Sequence, residues 1–168
     1  MNANAAVLPH PTLKLVEPEP DDGEIVCDYS SRPPLVPDGK YQAVLVRHET
    51  AFVFKTAKVF LWFRIIEPGE HYGKELYRPY RVKRLIGKPG KNGSFRLAPG
   101  SDLFSMLVRV LDMSKRAVRP DRISLRALRH GVLEIKTRTV TKDYQQREAV
   151  EWLRYSVVDD VTRQLTGA

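Results

Sequence analysis

The chain has 168 residues and a net charge of +8, with 42% hydrophobic and 29% charged residues, which is typical of a globular protein. It contains no apolar run near the roughly 18 residues of a membrane helix and no signal-peptide pattern at its start, so we expect no membrane association. Cys27 is the single cysteine and the four histidines are scattered, so we expect a cytoplasmic protein without a disulfide, metal or other cofactor.

The charge is divided unevenly along the chain. Residues 1–39 contain two basic and seven acidic residues, whereas residues 40–168 contain 26 basic and 13 acidic residues. Such a basic segment attracts polyanions, and counterion release would make their binding depend on salt. The sequence therefore predicts a nucleic-acid-binding domain preceded by an acidic segment.

Composition predicts three segments. Residues 1–37 are rich in proline and acid, so we expect a largely disordered tail in which 31–37 docks as an extended lead-in. The turn signal Asp38-Gly39 begins a folded domain at residues 38–162. Residues 163–168 form a short C-terminal tail.

The hydrophobic pattern of the domain predicts five strands and one helix in the order β-β-β-α-β-β, at residues 41–48, 58–66, 74–85, 102–112, 131–142 and 151–160. This is the order of an oligonucleotide-binding (OB) fold, a small barrel that binds oligonucleotides on strands 2 and 3 and with adjacent loops. The fold class we predict is therefore mostly β, an OB-fold-like β-barrel with one helix and a disordered N-terminal tail.

The connections between these elements carry their own signals. Residues 49–57 indicate a hairpin loop or a twisted continuation of the first strand, and Pro79 marks the third strand as an edge or a bulge. Residues 87–94 indicate a flexible basic loop. Ser101 is a favourable N-cap for the helix, and residues 121–129 indicate irregular structure or a short helix.

The second strand suggests how nucleic acid would bind. Its odd positions, Val59 to Ile65, are all apolar and predict a core face, whereas its even positions include Lys58, Phe60, Trp62 and Arg64. Aromatic rings that stack on bases and cations that meet phosphates are what single-strand binding requires. The alternative is that both faces are buried, with Phe60 and Trp62 packed on the helix or the tail.

Neighbouring segments repeat this combination of aromatic and basic residues. We therefore predict a nucleic-acid-binding surface made of Phe54, Lys55, Lys58, Phe60, Trp62, Arg64, Arg78, Tyr80, Arg81, Lys88, Lys91, Lys142, Tyr144 and Arg147. The register of the third strand is open at this point, because Pro79 could shift which of its side chains face outward.

One pattern suggests a metal-dependent nuclease instead. Pro120-Asp121 followed by Glu134-Ile135-Lys136 matches a motif in which acids hold a divalent metal and the lysine orients water. Asp121 lies in an arginine-rich irregular segment and not at the end of an apolar strand, which argues against this assignment. We expect a protein without catalytic residues.

Four short segments carry a resemblance to a known family. Residues 36–41, 61–65, 72–76 and 155–159 resemble segments of OB-fold single-stranded DNA-binding proteins from phages, plasmids and integrative elements. The resemblance covers roughly residues 33–161. It implies a role in replication, recombination or transfer of a mobile element.

The function we predict is non-catalytic, sequence-tolerant binding of single-stranded DNA, with RNA not distinguished from DNA because stacking ignores the sugar. The alternative is a protein-interaction module that uses the same basic and aromatic face. The acidic residues 17–28 either fold back on the basic surface or recruit a replication or recombination protein, and an edge near Pro79 permits a homodimer.

Overall fold

The computed structural model describes residues 33–112, 125–143 and 145–166. Strands predominate in this part of the chain: β1 (Lys40–Val53), β2 (Thr56–Ile65), β3 (Glu75–Arg81), β4 (Arg84–Ile86), β5 (Gly90–Lys91), β6 (Ser94–Arg96), β7 (Val132–Val140) and β8 (Tyr155–Thr166). Its helices are α1 (Asp102–Val110), α2 (Arg126–Arg129) and a 3-10 turn at Glu151–Leu153. The prediction of a mostly β protein is confirmed, although α2 adds a second helix. The predicted tail up to residue 32, Asp121 and Tyr144 lie outside the described residues.

Six strands form one antiparallel sheet in the order β3-β2-β1-β7-β8, with β5 paired to β1. β4 and β6 form a separate two-stranded ladder. The two end strands of the large sheet, β3 and β8, are in contact with each other. Arg78 Nη1 on β3 lies 3.6 Å from Asp160 Oδ1 on β8, so side chains link the two ends.

β1 contains one extra residue relative to β2. Leu45 lies opposite Phe63 and Arg47 lies opposite Trp62, which leaves Val46 as a bulge. A bulge reverses which side chains of the following residues point to each face. From Arg47 onward, the side chains on the Trp62 side of the sheet are therefore those of odd-numbered residues.

The core lies between the inner face of the sheet and α1. Every odd position of β2 from Val59 to Ile65 is at most 1% exposed, as the alternation predicts. Leu103 and Leu107 of α1 are buried against this face. Ser101 begins the helix as predicted, since its Oγ accepts from the Phe104 N–H at 3.4 Å. No helix in the described ranges is both long and apolar enough to cross a membrane.

The lead-in before β1 is held by two buried hydroxyls. The Val36 N–H donates to Ser156 Oγ at 2.8 Å, and that hydroxyl donates to the Val36 carbonyl at 2.7 Å. Thr137 Oγ1 accepts from the Gly39 N–H at 3.0 Å and donates to the Pro37 carbonyl at 2.8 Å. Because Val36 is itself fully buried, the folded part includes residues that precede the expected start at Asp38.

β3 is shorter than predicted. Its pairing with β2 is continuous from Arg81, opposite Lys58, to Glu75, opposite Arg64, so Pro79 causes no change of register. β3 is an edge strand of the sheet, where the missing N–H of proline is tolerated. The Val82 N–H still donates to the Ala57 carbonyl of β2 at 3.0 Å. The Lys83 N–H then donates to the Arg96 carbonyl at 2.9 Å, where the β4–β6 pairing begins.

The loop at residues 87–94, which was predicted to be flexible and basic, is anchored to β1 by hydrogen bonds. Thr50 Oγ1 accepts from the Gly90 N–H at 3.1 Å, and His48 Nε2 lies 3.1 Å from the Gly93 carbonyl oxygen. The Asn92 N–H donates to the His48 carbonyl at 2.9 Å. A Cβ at Gly93 would lie 2.0 Å from Thr50 Oγ1, so the close approach requires glycine.

Candidate nucleic-acid interface

Three aromatic rings form a row on the outer face of β2 and β3. Trp62 lies opposite Tyr77 in the ladder, and their ring centroids are 5.1 Å apart. The Phe60 and Tyr77 centroids are 5.8 Å apart. All three side chains are partly exposed, so this aromatic row of Phe60, Trp62 and Tyr77 lies at the surface.

Trp62 is less accessible than its position in the strand predicts. The Arg47 guanidinium lies 4.2 Å from the centroid of the indole, in a cation–π contact that covers one ring face. Arg47 also donates to Glu49 at 2.9 Å and to Glu75. Arg64 Nη2 donates to Glu75 at 2.7 Å. A base would have to displace Arg47 to stack on Trp62, and Arg64 is already paired with an acid.

This face is therefore covered only in part, by Arg47 and its acidic partners. Hydrogen bonds from Arg47 and Arg64 lower the pKa of Glu75, which keeps this carboxylate charged among the two arginines. The Trp62 half of the row is covered by this network of ion pairs. Phe60 lies opposite Glu49 in the β1–β2 ladder, and no cation of the described residues covers its ring.

The aromatic row continues toward β8. Burial raises the pKa of Tyr77 to about 12, and the neighbouring Tyr155 acts in the same direction. A cleft between β3 and the β7–β8 hairpin is lined by these tyrosines together with Arg138 and Lys142. Tyr77 thus belongs both to the aromatic row and to a polar cleft beside it.

Two predicted contact residues of β3 point inward. Tyr80 is 3% exposed and lies in the hydrophobic core, where burial raises its pKa. Arg78 lies over the Tyr80 ring at 4.9 Å and pairs with Asp160. Since the uninterrupted register turns both side chains away from the aromatic row, Tyr80 is corrected to a core residue and Arg78 to a link between β3 and β8.

Positive side chains face one another in two places near the end of β3. Lys58 lies opposite Arg81 in the β2–β3 ladder, and Arg84 lies opposite Arg96 in the β4–β6 ladder. Like charges directly opposite in a sheet are destabilising. No salt bridge connects these four residues, or Lys83, to an acid in the described part of the chain. We call this set of five residues the basic end.

Elsewhere the ladders bring opposite charges together. Such pairs are Arg64–Glu75, Glu49–Lys91, Glu134–Arg163 and Lys136–Asp160. One further like-charged pair, Lys40 opposite Lys136, has acids close by, because Lys40 Nζ lies 3.3 Å from Glu134 and Lys136 Nζ 4.0 Å from Asp159. The basic end therefore differs from the rest of the sheet in having positive charge that no described acid balances.

The β1–β2 turn exposes an aromatic ring beside a cation. Phe54 and Lys55 have φ angles of +48° and +62°, the left-handed region that a two-residue hairpin turn requires and that favours glycine or asparagine. Phe54 is 89% exposed and Phe52 is 60% exposed. A bulky aromatic residue at a strained and exposed position gains nothing from packing, which makes Phe54 a candidate contact residue.

The other predicted cations are distributed over two loops. Lys88 and Lys91 are exposed on the anchored loop. Lys142 Nζ lies 3.9 Å from Glu148, and Arg147 is exposed in the same turn, which borders the cleft beside Tyr77. The structure therefore brings Phe54, Lys55, Lys58 and Arg81 toward one end of β2, whereas Lys142 and Arg147 lie beside β7.

Three residues of the basic end are outside the predicted set of contact residues. Lys83, Arg84 and Arg96 are positioned by the β4–β6 ladder, whose strands are only three residues long. Strands of that length carry no periodic pattern that a sequence could reveal. The high density of basic residues between Arg78 and Arg84 is the sequence feature that could have indicated the basic end.

The described charged residues of the nuclease-like motif, Glu134 and Lys136, have structural partners. Glu134 accepts from Thr162 Oγ1 at 2.7 Å and pairs with Lys40 and Arg163. These partners lower the pKa of Glu134 to about 2, and the hydrogen bond from Thr162 has the largest effect. Lys136 lies near Asp159, and the described residues include no group of three or more His, Cys, Asp or Glu side chains that could hold a metal.

Comparison with protein-family models, with curated proteins and with solved structures found no match for this chain.

Proposed function

We propose that this chain binds single-stranded nucleic acid across the Phe60 half of the aromatic row, the β1–β2 turn and the basic end. The observation that carries the proposal is the presence of two like-charged ladder pairs, Lys58–Arg81 in the large sheet and Arg84–Arg96 in the β4–β6 ladder. The other charged ladder pairs of the described residues have acids beside them. A polyanion would relieve this repulsion by neutralising the charges. The adjacent rings of Phe60 and Phe54 offer surfaces on which bases stack.

We further propose that the sheet is an OB-like barrel. The order β3-β2-β1-β7-β8, with β3 and β8 in contact, corresponds to the strand arrangement in which strands 2 and 3 bind oligonucleotides. The helix between the third and fourth long strands agrees with that arrangement. The resemblance to single-stranded DNA-binding proteins of mobile elements would give such an activity a role in replication, recombination or transfer.

The test is a binding titration at several salt concentrations with oligo-dT, the corresponding RNA and a duplex. We expect single strands to bind more tightly than the duplex. The double variant Lys58→Gln, Arg84→Gln should reduce the salt slope by about 1.4, since each contact to a single-strand phosphate contributes about 0.7. The same variant should unfold at higher temperature, because each substitution removes a like-charged pair, and such pairs are destabilising in a sheet.

Lys136→Gln, Arg138→Gln is the matched control. This variant removes the same amount of positive charge. Both of its cations are already paired with an acid, Asp159, unlike Lys58 and Arg84. Its salt slope should stay closer to that of the unmodified protein. Equal slopes for the two variants would contradict the proposed location, and tighter binding to the duplex would contradict the single-strand preference.

A further inference from the structure

A large groove lies between the β4–β6 ladder and the two helices. Its floor is apolar and includes Phe95, Leu97, Phe104 and Leu125, all partly exposed. The groove measures about 1460 Å³, above the roughly 300–1,000 Å³ of small-molecule sites. Its size therefore suits a segment of polypeptide better than a metabolite.

The rim of this groove is positive. Arg96 and Arg129 are exposed along it, and none of the described residues that line the groove is acidic. Arg129 Nη2 is held by Asn92 Oδ1 at 2.8 Å and by His48 Nδ1 at 3.0 Å. These partners orient the guanidinium without neutralising its charge.

We propose that this groove binds an acidic peptide segment of a partner protein, with apolar side chains of the peptide on the floor and its carboxylates at the rim. Amphipathic segments bind grooves of this kind through apolar anchors along one side. Charge complementarity favours a peptide with acidic residues beside its apolar anchors. Arg96 has no acidic partner in the described chain, and Arg129 is bonded to neutral groups.

A nucleic-acid strand fits the same groove less well. Bases carry polar edges that need hydrogen-bond partners when they leave water. The floor offers mainly leucine, proline and phenylalanine side chains, which leave such edges unsatisfied. Aliphatic and aromatic peptide side chains have no such requirement.

The probe is a short fluorescein-labelled peptide of glutamate with leucine at helical i, i+3 and i+4 spacing. Its control replaces every leucine with serine and keeps the charge. We expect the full-length protein to bind the leucine peptide at least about tenfold more tightly than the serine peptide. Ile86→Asp, at an exposed apolar position of the groove, should weaken binding by about tenfold, as expected for an interface anchor.

Val150→Asp is the matched control, since Val150 is 50% exposed and does not line the groove. Arg129→Gln provides a second variant that keeps a donor toward His48 and Asn92 while removing the charge; it should weaken binding of the leucine peptide. Thermal unfolding verifies that each variant is folded. Equal binding of the two peptides, or unchanged binding by both Ile86→Asp and Arg129→Gln, would overturn the proposal. Loss of oligo-dT binding in Ile86→Asp together with displacement of the peptide by oligo-dT would assign the groove to nucleic acid instead.

Discussion

Phe54 contributes little to the packing of the fold. Its side chain is 89% exposed at a left-handed turn position, so removing the ring should leave the free energy of unfolding nearly unchanged. If the ring stacks on a base, Phe54→Ala should weaken single-strand binding by about 1–3 kcal/mol. Oligonucleotide titration and urea unfolding measure the two effects, and an unchanged affinity would remove Phe54 from the interface.

His48 makes the stability of the molecule depend on pH. Burial lowers the pKa of its imidazole, and the nearby Arg129 acts in the same direction. Because the folded state favours the neutral ring, stability is fully present above about 6.5, the pKa of an unperturbed histidine, and declines as pH falls through the folded-state pKa.

Urea unfolding between pH 8 and pH 5 measures this decline. We expect the free energy of unfolding to fall with acidification in the unmodified protein and to fall less in His48→Gln. The same pH dependence in both proteins would assign the effect to other groups.

At the scale of the element, the β7–β8 hairpin depends on one carboxylate. Glu134 has its pKa lowered to about 2 by Thr162, Lys40 and Arg163, so its contribution is present above the unfolded pKa near 4.3 and is lost as pH falls toward 2. Glu134→Gln should therefore be less stable than the unmodified protein at pH 7. The difference should shrink at pH 2.5, as measured by chemical denaturation, and a difference independent of pH would rule out the charge of Glu134 as its cause.

β2, β7 and α1 could be predicted from the sequence with nearly the observed bounds, and the short elements could not. The longest strands were predicted less well, since β1 and β8 extend beyond the expected ranges of 41–48 and 151–160. β2 alternates apolar and polar residues over ten positions, and α1 has an N-cap and an apolar stripe, so local pattern and tertiary structure agree. The anchored loop and the β4–β6 ladder depend on contacts with distant residues such as Thr50 and His48. No local pattern encodes such contacts.

The candidate site was predictable only as a set of residue types. The alternation in β2 placed Phe60 and Trp62 on one face, and the register agrees. The cover that Arg47 forms over Trp62 depends on the bulge in β1, and the inward direction of Tyr80 depends on the unbroken β2–β3 register. Both are properties of strand pairing, which the sequence of one strand does not determine.

At the scale of the whole molecule, Asp160 connects three elements. It accepts two hydrogen bonds from Arg109 of α1, at 2.8 and 2.9 Å, and lies 3.6 Å from Arg78 of β3. Asp160→Asn should lower the free energy of unfolding by about 1 kcal/mol, since the groups are partly exposed and solvent screens the pairs.

Amide hydrogen exchange should show which strands lose stability in Asp160→Asn. We expect faster exchange in β3 and β8, whose contact Asp160 supports, and little change in the β1–β2 ladder. A uniform increase over all strands would indicate a general loss of stability instead of weaker contact between the sheet ends.

The bulge at Val46 bears on how this protein could change during evolution. Deleting the codon for Val46 would remove the bulge and leave Leu45 opposite Phe63 and Arg47 opposite Trp62. The faces of the rest of β1 would be kept, together with the contacts of His48 and Thr50 to the loop at residues 87–94. Deleting a paired residue between positions 48 and 52 would instead shift the residues that follow by one position and exchange their two faces. We therefore expect related chains to tolerate the loss of residue 46 and to keep the segment 47–53 at constant length.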